Sequence, residues 1–305
     1  VGNPILAVGS VAFDSIKTPF GEASRVVGGA ATYFAIAASF FTEVRIVAVV
    51  GDDFGGNIEK VFGGRRIDLS GLEKVSGETF RWKGEYGFDL NSRETIYTRL
   101  NVFEQFKPKI PASHKRSPFV FLGNIHPTLQ TDVLNQVKKP RVVGADTMNY
   151  WIERTPDELM QVLRRVDVLL INDSEARELA GEANLVKAAR KIQAMGPATL
   201  VIKRGEHGVL MTRKGGGFFA APAMPLEDVF DPTGAGDTFA GGFLGYLASC
   251  EGTDDATLAR AIIYGSTLAS FAVEDFSVDR LLRLTHQEVK DRFAEFKKLT
   301  HFDIV

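Results

Sequence analysis

Residues 168–202, VLLINDSEARELAGEANLVKAARKIQAMGPATLVI, decide the fold. Val168, Leu169, Leu170 and Ile171 make an unbroken apolar run, which a strand covered on both faces requires. Residues 175–180 and 185–195 then take helical spacing, and residues 200–202 form a second apolar run. Strand, helical crossover and strand make a parallel unit whose connection is right-handed. Working outward, apolar runs at 4–9, 45–50, 119–122 and 142–145 predict further buried strands. Helical patterns fall at 31–41, 156–166, 235–249, 255–271 and 287–298, where Val289, Phe293 and Phe296 mark one apolar face. The expectation is an α/β fold with a doubly wound, mostly parallel sheet and helices on both faces.

Residues 79–102 break that alternation. They alternate polar and apolar, turn at 89–92 and contain no helical pattern, which predicts a half-exposed hairpin. Residues 11–27 are also strand-like. Together the two segments predict a small β-flap lid; the alternative is an immobile extra sheet edge. No Pro/Ser/Gly-rich linker or repeat divides the chain. Residues 1–305 are therefore expected to form one domain, with lid segments 11–27 and 79–102.

The 305 residues are 45% hydrophobic and 24% charged, which argues against disorder and coiled coil. A net charge of −2 leaves no basic footprint for nucleic acid. The single cysteine, Cys250, cannot form an internal disulfide, which fits a reducing compartment. Residues 1–5 lack the basic flank and apolar core of a signal peptide, and residues 30–41 are too short to span a bilayer. The expectation is a cytoplasmic protein with no membrane or nucleic-acid partner. No Cys/His spacing suggests zinc, and no GxxxxGK[ST] loop occurs. Gly234-Ala235-Gly236 is not a dinucleotide fingerprint, because Phe239 stands at its third glycine position.

The 30 glycines cluster, and one cluster carries chemistry. In Asp231-Pro232-Thr233-Gly234-Ala235-Gly236-Asp237-Thr238-Phe239-Ala240-Gly241-Gly242, a turn precedes a helix whose first residues are small. A helix start leaves its first N–H groups free, so Gly234, Ala235 and Gly236 can point at an anion, aided by the helix dipole. Asp237 stands where it can take a proton from an alcohol. Anion cradle and base together suit phosphoryl transfer. The competing reading is that Asp237 only caps its helix.

This stretch resembles the C-terminal signature of the ribokinase-like (PfkB) carbohydrate kinases. Gly28-Gly29 and the following helix, through Gly51-Asp52-Asp53-Phe54-Gly55-Gly56, resemble the N-terminal signature of that family. Asn172-Asp173-Ser174-Glu175 is similar to its NxxE element, and Lys203-Arg204-Gly205-Glu206-His207-Gly208 to its (T/K)xGxxG element. The four occur in family order, so the resemblance covers essentially the whole chain. It implies an ATP-dependent kinase acting on the primary alcohol of a sugar or ribonucleoside, possessing the nucleoside and adenosine kinase-like branch as its nearest kind. Asp237 would be the catalytic base, with Gly234, Ala235 and Gly236 as anion hole. Asn172 and Glu175 would organise Mg²⁺, largely through water. Lys203, Gly205, Gly208 and Thr233 would lie by the nucleotide, with Ser266 and Ala269 flanking its base. Asp14 would hold two acceptor hydroxyls, Gly28 and Gly29 would let the acceptor approach and flex the lid, and Asp231 would touch a monovalent cation such as K⁺. Read alone, Asp14 is a turn-capping residue and Glu175 a first-turn carboxylate.

Three departures from the family pattern matter. Ala12-Phe13 replaces an expected Asn, and Tyr33 replaces another four residues after the paired glycines. Phe13, Tyr33 and Phe88 are then expected to stack on a nucleobase or pack in core or lid, which favours a nucleoside acceptor. Residues 273–277, VEDFS, lack the Gly-containing loop that helps hold the monovalent cation. Asn124 with His126, and Asp146 with Asn149, follow strands whose carboxyl ends are where such sheets bind ligands. Arg99 is a further flap candidate. A catalytically silent nucleotide-sensing protein of the same fold is the competing function, and an oxidoreductase is disfavoured by the missing fingerprint. Monomer and homodimer both remain open, as does the identity of the acceptor.

Overall fold

The computed structural model describes residues 2–301. Its strands are β1 Ile5–Val8, β2 Ala12–Thr18, β3 Gly21–Gly28, β4 Val44–Val50, β5 Ile67–Lys74, β6 Phe80–Tyr86 and β7 Arg93–Arg99. They continue with β8 Phe119–Leu122, β9 Val142–Asp146, β10 Val168–Asn172, β11 Thr199–Lys203, β12 Val209–Arg213 and β13 Phe218–Ala221. A nine-stranded sheet runs β13-β12-β11-β10-β9-β8-β1-β4-β5, parallel except where β12 pairs antiparallel with β11 and β13. A four-stranded sheet runs β3-β2-β6-β7.

The apolar runs are unbroken because both faces of the large sheet are covered. Ile5, Ala7, Phe119, Phe121, Val168 and Leu170 join one buried cluster with helices Ala30–Ala38, Ala235–Ser249 and Asp255–Ala272. The alternate residues Leu6, Val8, Val120, Leu122, Leu169 and Ile171 join a second, with helices Pro127–Gln136, Pro156–Leu163 and Leu185–Met195. Successive side chains leave a strand on opposite faces, so each run feeds two cores. The expected fold class is the one observed.

Small residues set the helix spacing. A methyl group at Gly241 would meet Phe34 O at 2.4 Å, and one at Gly242 would meet Tyr264 O at 2.9 Å. Glycine on two sides of helix Ala235–Ser249 thus lets it seat against helices Ala30–Ala38 and Asp255–Ala272 at once. That seating fixes the helix whose first turn carries Asp237.

The differences from expectation lie at the edges. β5, β12 and β13 lie outside the expected strand runs: β5 is interrupted by Asp68, Ser70 and Gly71, and β12 and β13 are short, partly exposed strands at the sheet edge, joined by the turn at 215–217 that the sequence reads as a hairpin tip. Helix Ala30–Ala38 stops short of Phe41, where the chain tightens through Phe40 N–H to Ala37 O. Residues 11–27 and 79–102 supply the four strands of the smaller sheet.

Candidate active site

Parallel strands place their carboxyl ends on one edge of a sheet, and ligands of such folds bind there, where the strand order reverses. Here the reversal lies at β1, flanked by β4 and β8. Asp146 ends β9, Asn172 ends β10 and Lys203 ends β11. The smaller sheet grows from the same edge, since only Gly9, Ser10 and Val11 separate β1 from β2.

Helix Ala235–Ser249 begins at Gly234, whose φ of +75° favours glycine. Ala235 N–H donates to Pro232 O at 3.2 Å and Thr238 N–H to Gly234 O at 2.8 Å. Lys203 supplies a cation at this helix start: a methyl group on Gly236 would lie 3.0 Å from its Nζ. Asp146 holds that ammonium, Oδ2 accepting from Nζ at 3.2 Å. Burial works to lower the Lys203 pKa, but Asp146 first, then Glu175 and Asp237, hold it above the ordinary range.

The carboxylates around this lysine are electrostatically overcrowded. Asp237 is pushed up to about 7 by burial and by Asp146, against the pull of Lys203 and Arg93. Glu175 is pushed up to about 7 by the same two causes in the same order. It also forms a capping box: Glu175 Oε2 accepts Asn172 N–H at 2.8 Å, and Asn172 Oδ1 accepts Glu175 N–H at 2.8 Å. The first-turn carboxylate reading and the site reading thus describe one side chain, oriented by its cap and facing the cluster. Asp14, on β2, is buried and pushed up to about 7 by burial, then by Asp231 and Asp237. A methyl group on Gly28 would fall 1.9 Å from Asp14 Oδ2, so glycine there is what lets the carboxylate sit. Gly29, at φ +95°, starts helix Ala30–Ala38.

The first glycine-aspartate element is built differently. Asp53 Oδ1 accepts from Thr79 N at 2.8 Å and Thr79 Oγ1 at 2.6 Å, while Oδ2 accepts from Arg25 and Arg81 at 3.2 and 3.3 Å. Burial alone would raise its pKa; the Thr79 bonds, then the arginines, bring it below the ordinary range. It joins the large sheet to β3 and β6.

Asp231 makes a closed turn. Its Oδ1 accepts Thr233 N–H at 2.8 Å and its Oδ2 accepts Ser277 N–H at 3.2 Å, and Val273 O already accepts the N–H of Phe230. Ser277, at φ +61°, also donates its hydroxyl to Val27 O on β3 at 2.5 Å. Burial nevertheless holds the Asp231 carboxyl above its ordinary range, against the pull of the Thr233 and Ser277 bonds.

Other expected residues fall nearby with other partners. Phe13 is buried against Phe54 (5.3 Å between centroids) with Arg25 over its ring at 5.1 Å. Tyr33 is buried as well, whereas Phe88 stands exposed in the β6–β7 turn. Asn124 accepts from Trp151 Nε1 at 2.8 Å, and Asn149 donates to Glu178. His126 caps helix Pro127–Gln136. Ser266 and Ala269 lie half-buried on helix Asp255–Ala272. Gly205 and Gly208, at φ +54° and +80°, turn after β11, where a methyl group on Gly205 would meet Asn91 of the β6–β7 turn at 2.7 Å. The smaller sheet therefore reaches across to the Gly205 turn.

Sequence reasoning missed Arg93 and Tyr86. Tyr86 Oη accepts from Thr233 Oγ1 at 3.0 Å. Arg93 pairs with Tyr86 across β6–β7, and its charge pulls down Asp14, Glu175 and Asp237. Both arginines are exposed: Arg99 lies over Tyr97 at 4.9 Å and Arg93 over Trp82 at 5.4 Å, but only Arg93 acts on those carboxylates. The pairing skips Ile96 between Thr95 and Tyr97. That bulge exchanges the faces on either side of it, so alternation counted through the strand mislays the inward residue.

Comparison with known proteins agrees with this architecture. A family model described as pfkB family carbohydrate kinase matches residues 5–282. The cytidine kinase of Thermococcus kodakarensis is 31% identical over 247 residues, spanning 79% of this chain and 87% of that protein. A nucleoside kinase of Methanothermobacter thermautotrophicus is 25% identical over 308 residues, 96% of each. The crystal structure of a Methanocaldococcus jannaschii nucleoside kinase superposes with a TM-score of 0.76 at 20% identity, over 97% of this chain and all of that one, which shows a shared fold. Among the described residues, no helix is long and apolar enough to cross a membrane.

Proposed function

The chain belongs to the pfkB family of carbohydrate kinases and is a carbohydrate/nucleoside phosphotransferase; from that premise we propose that it moves the terminal phosphoryl group of ATP to the hydroxymethyl oxygen of a ribonucleoside. The observation that carries the reading is Asp237. It sits at the electropositive start of a helix, beside the Lys203 ammonium, and accepts no hydrogen bond from any described residue. A carboxylate left unmatched in such a place is free to take a proton.

In this mechanism Asp237 accepts the hydroxymethyl proton while the oxygen attacks the terminal phosphorus. The bond to the bridging oxygen breaks and ADP leaves. Gly234 to Gly236 and Lys203 stabilise charge on the moving group, and Asp146 keeps Lys203 in place. Asp14 accepts from two acceptor hydroxyls, which orients the hydroxymethyl group. The smaller sheet acts as the lid, excluding water that would otherwise hydrolyse ATP. Arg93 on β7 brings a positive charge over the cluster.

The surplus of carboxylates over cations fits a divalent ion. Glu175 and Asn172 would hold Mg²⁺ largely through water, since this ion keeps several waters and prefers oxygen ligands. Mg²⁺ would neutralise phosphate charge that the carboxylates repel.

A nucleoside acceptor is supported by the cytidine and nucleoside kinases among the relatives. The test is ADP formation over a panel of ribonucleosides, ribose and 2-dehydro-3-deoxygluconate. Ribonucleosides should be turned over fastest. Turnover of ribose or the sugar acid alone would overturn the acceptor, and ATP binding with no ADP from any acceptor would overturn the kinase chemistry.

A further inference from the structure

Residues 273–277, between helices Asp255–Ala272 and Asp279–Arg283, form neither helix nor strand, yet they seat the turn that leads into Gly234. Val273 O accepts Phe230 N–H at 2.8 Å and Asp231 N–H at 3.4 Å, and Ser277 N–H donates to Asp231 Oδ2 at 3.2 Å. Asp231 is thus gripped through both its backbone and its carboxylate. Ser277 makes its bond at φ +61°, a conformation that costs a non-glycine residue and persists only where neighbours impose it.

Glu274, next to Val273, anchors this segment. Its Oε2 accepts from Arg280 Nε at 2.9 Å, and its Oε1 pairs with Arg292 Nη2 at 2.6 Å. Arg280 stands on helix Asp279–Arg283, and Arg292 on helix His286–Thr300, which lies beyond the residues 5–282 matched by the family model. Both guanidinium groups lie over the buried Phe271 ring, at 4.7 and 3.5 Å, in the last turn of helix Asp255–Ala272. Arg292 also donates to Ser270 Oγ at 3.2 Å. One carboxylate therefore ties three helices together where the segment begins. Glu274 is 21% exposed and each arginine 18%. Ion pairs withdrawn from water give up hydration that their attraction repays only in part, so stability is a weak reason for them. What they supply here is a fixed geometry, since both carboxylate oxygens are engaged from different helices.

We propose that Glu274 is a positioning residue for phosphoryl transfer, fixing residues 273–277 through Arg280 and Arg292 so that the Asp231 turn presents Gly234 to Gly236 to the phosphate. The proposal rests on the anion-cradle reading above. Glu274 acts through Val273, Ser277 and Asp231 rather than by contact with a reactant. A displaced cradle loses contacts to charge that develops on the moving group, so the loss falls on kcat and not on the acceptor KM.

The experiment compares Glu274→Gln with Glu288→Gln. Glu288 Oε1 accepts from the same Arg280 at 2.8 Å and its Oε2 from Thr285 N–H, so its variant weakens the same ion-pair network without touching residues 273–277. Well below the unfolding temperature of each protein, Glu274→Gln should lower kcat about tenfold or more with the acceptor KM unchanged, the scale of a small misplacement at the reacting centre. Arg292→Gln breaks the clamp from its other end and should do the same. The double variant should lose no more than either single one, because both delete one contact. Hydrogen–deuterium exchange over residues 230–240 should rise in both. Glu288→Gln should lower Tm and leave kcat and that exchange at the parent values. A parent-like kcat in Glu274→Gln, or an equal fall in Glu288→Gln, would overturn the proposal and leave the network a purely stabilising one. If no acceptor is turned over, the kinase reading fails separately and the exchange decides. Faster exchange at 230–240 confined to the Glu274 and Arg292 variants supports the positioning, and unchanged exchange overturns it.

Discussion

Two glycine-aspartate elements look alike in sequence and behave as opposites in the structure. Asp53, in Gly51-Asp52-Asp53-Phe54-Gly55-Gly56, is surrounded by donors from Thr79, Arg25 and Arg81 and is held below the ordinary carboxylate range, the Thr79 bonds prevailing over burial. Asp237, in Gly234-Ala235-Gly236-Asp237, accepts no such bond and is pushed up to about 7 by burial and Asp146. The first spends its charge joining two sheets. The second has no such donors, and its deeper burial beside Asp146, together with the missing hydrogen bonds, separates it from the first.

The sharpest way to break this contrast is Asp237→Asn. It should lower kcat by roughly 10²-fold or more, the scale of losing a positioned base, while ATP binding measured by calorimetry stays near the parent value. Full turnover in the variant would remove Asp237 from the chemistry. Asp53→Ala should do the reverse. It strands Arg25, Arg81 and Thr79, and thermal unfolding should show a loss of about 3 kcal/mol with a far smaller fall in kcat than Asp237→Asn gives. An unchanged Tm with a hundredfold fall in kcat would place Asp53 among the reactive groups instead.

The smallest effect concerns pH. Asp14, Glu175 and Asp237 have folded pKa values of about 7, against roughly 4 for an unfolded carboxyl. Between those values the folded chain keeps protons that the unfolded chain has lost, so stability falls as pH rises through the window. Asp237→Asn should therefore unfold at a higher temperature than the parent at pH 8, by about 1–2 kcal/mol, and show no gain at pH 4. A gain at pH 4 equal to that at pH 8 would mean that the change in packing, not charge, is responsible.

Much of this was legible in the sequence. The apolar runs announced strands buried on both faces, and the glycines beside Asp14 and in the Ala235–Ser249 helix announced close backbone approach. What was not legible depends on the third dimension. A bulge at Ile96 decided that Arg93 rather than Arg99 faces the cluster, and nothing in the residue types around Ile96 announces a skipped pairing. Whether Phe13 and Tyr33 pack in the core turned on neighbours distant in sequence, Phe54 and Gly234, and of the two expected roles the structure places them in packing. Asp146 was visible as a strand-end carboxylate, yet its partner Lys203 lies 57 positions away.

Ser277 carries a mechanical consequence. Its backbone holds the carboxylate of the turn that leads into Gly234, and its hydroxyl holds the last carbonyl of β3 before Gly28. One residue thus acts as a linkage rod between β3 and the turn that leads into Gly234. On the proposed reading, in which β3 covers the acceptor and that turn receives the phosphate, displacing β3 would pull on the turn through Ser277, so cover and cradle would be mechanically joined at one residue.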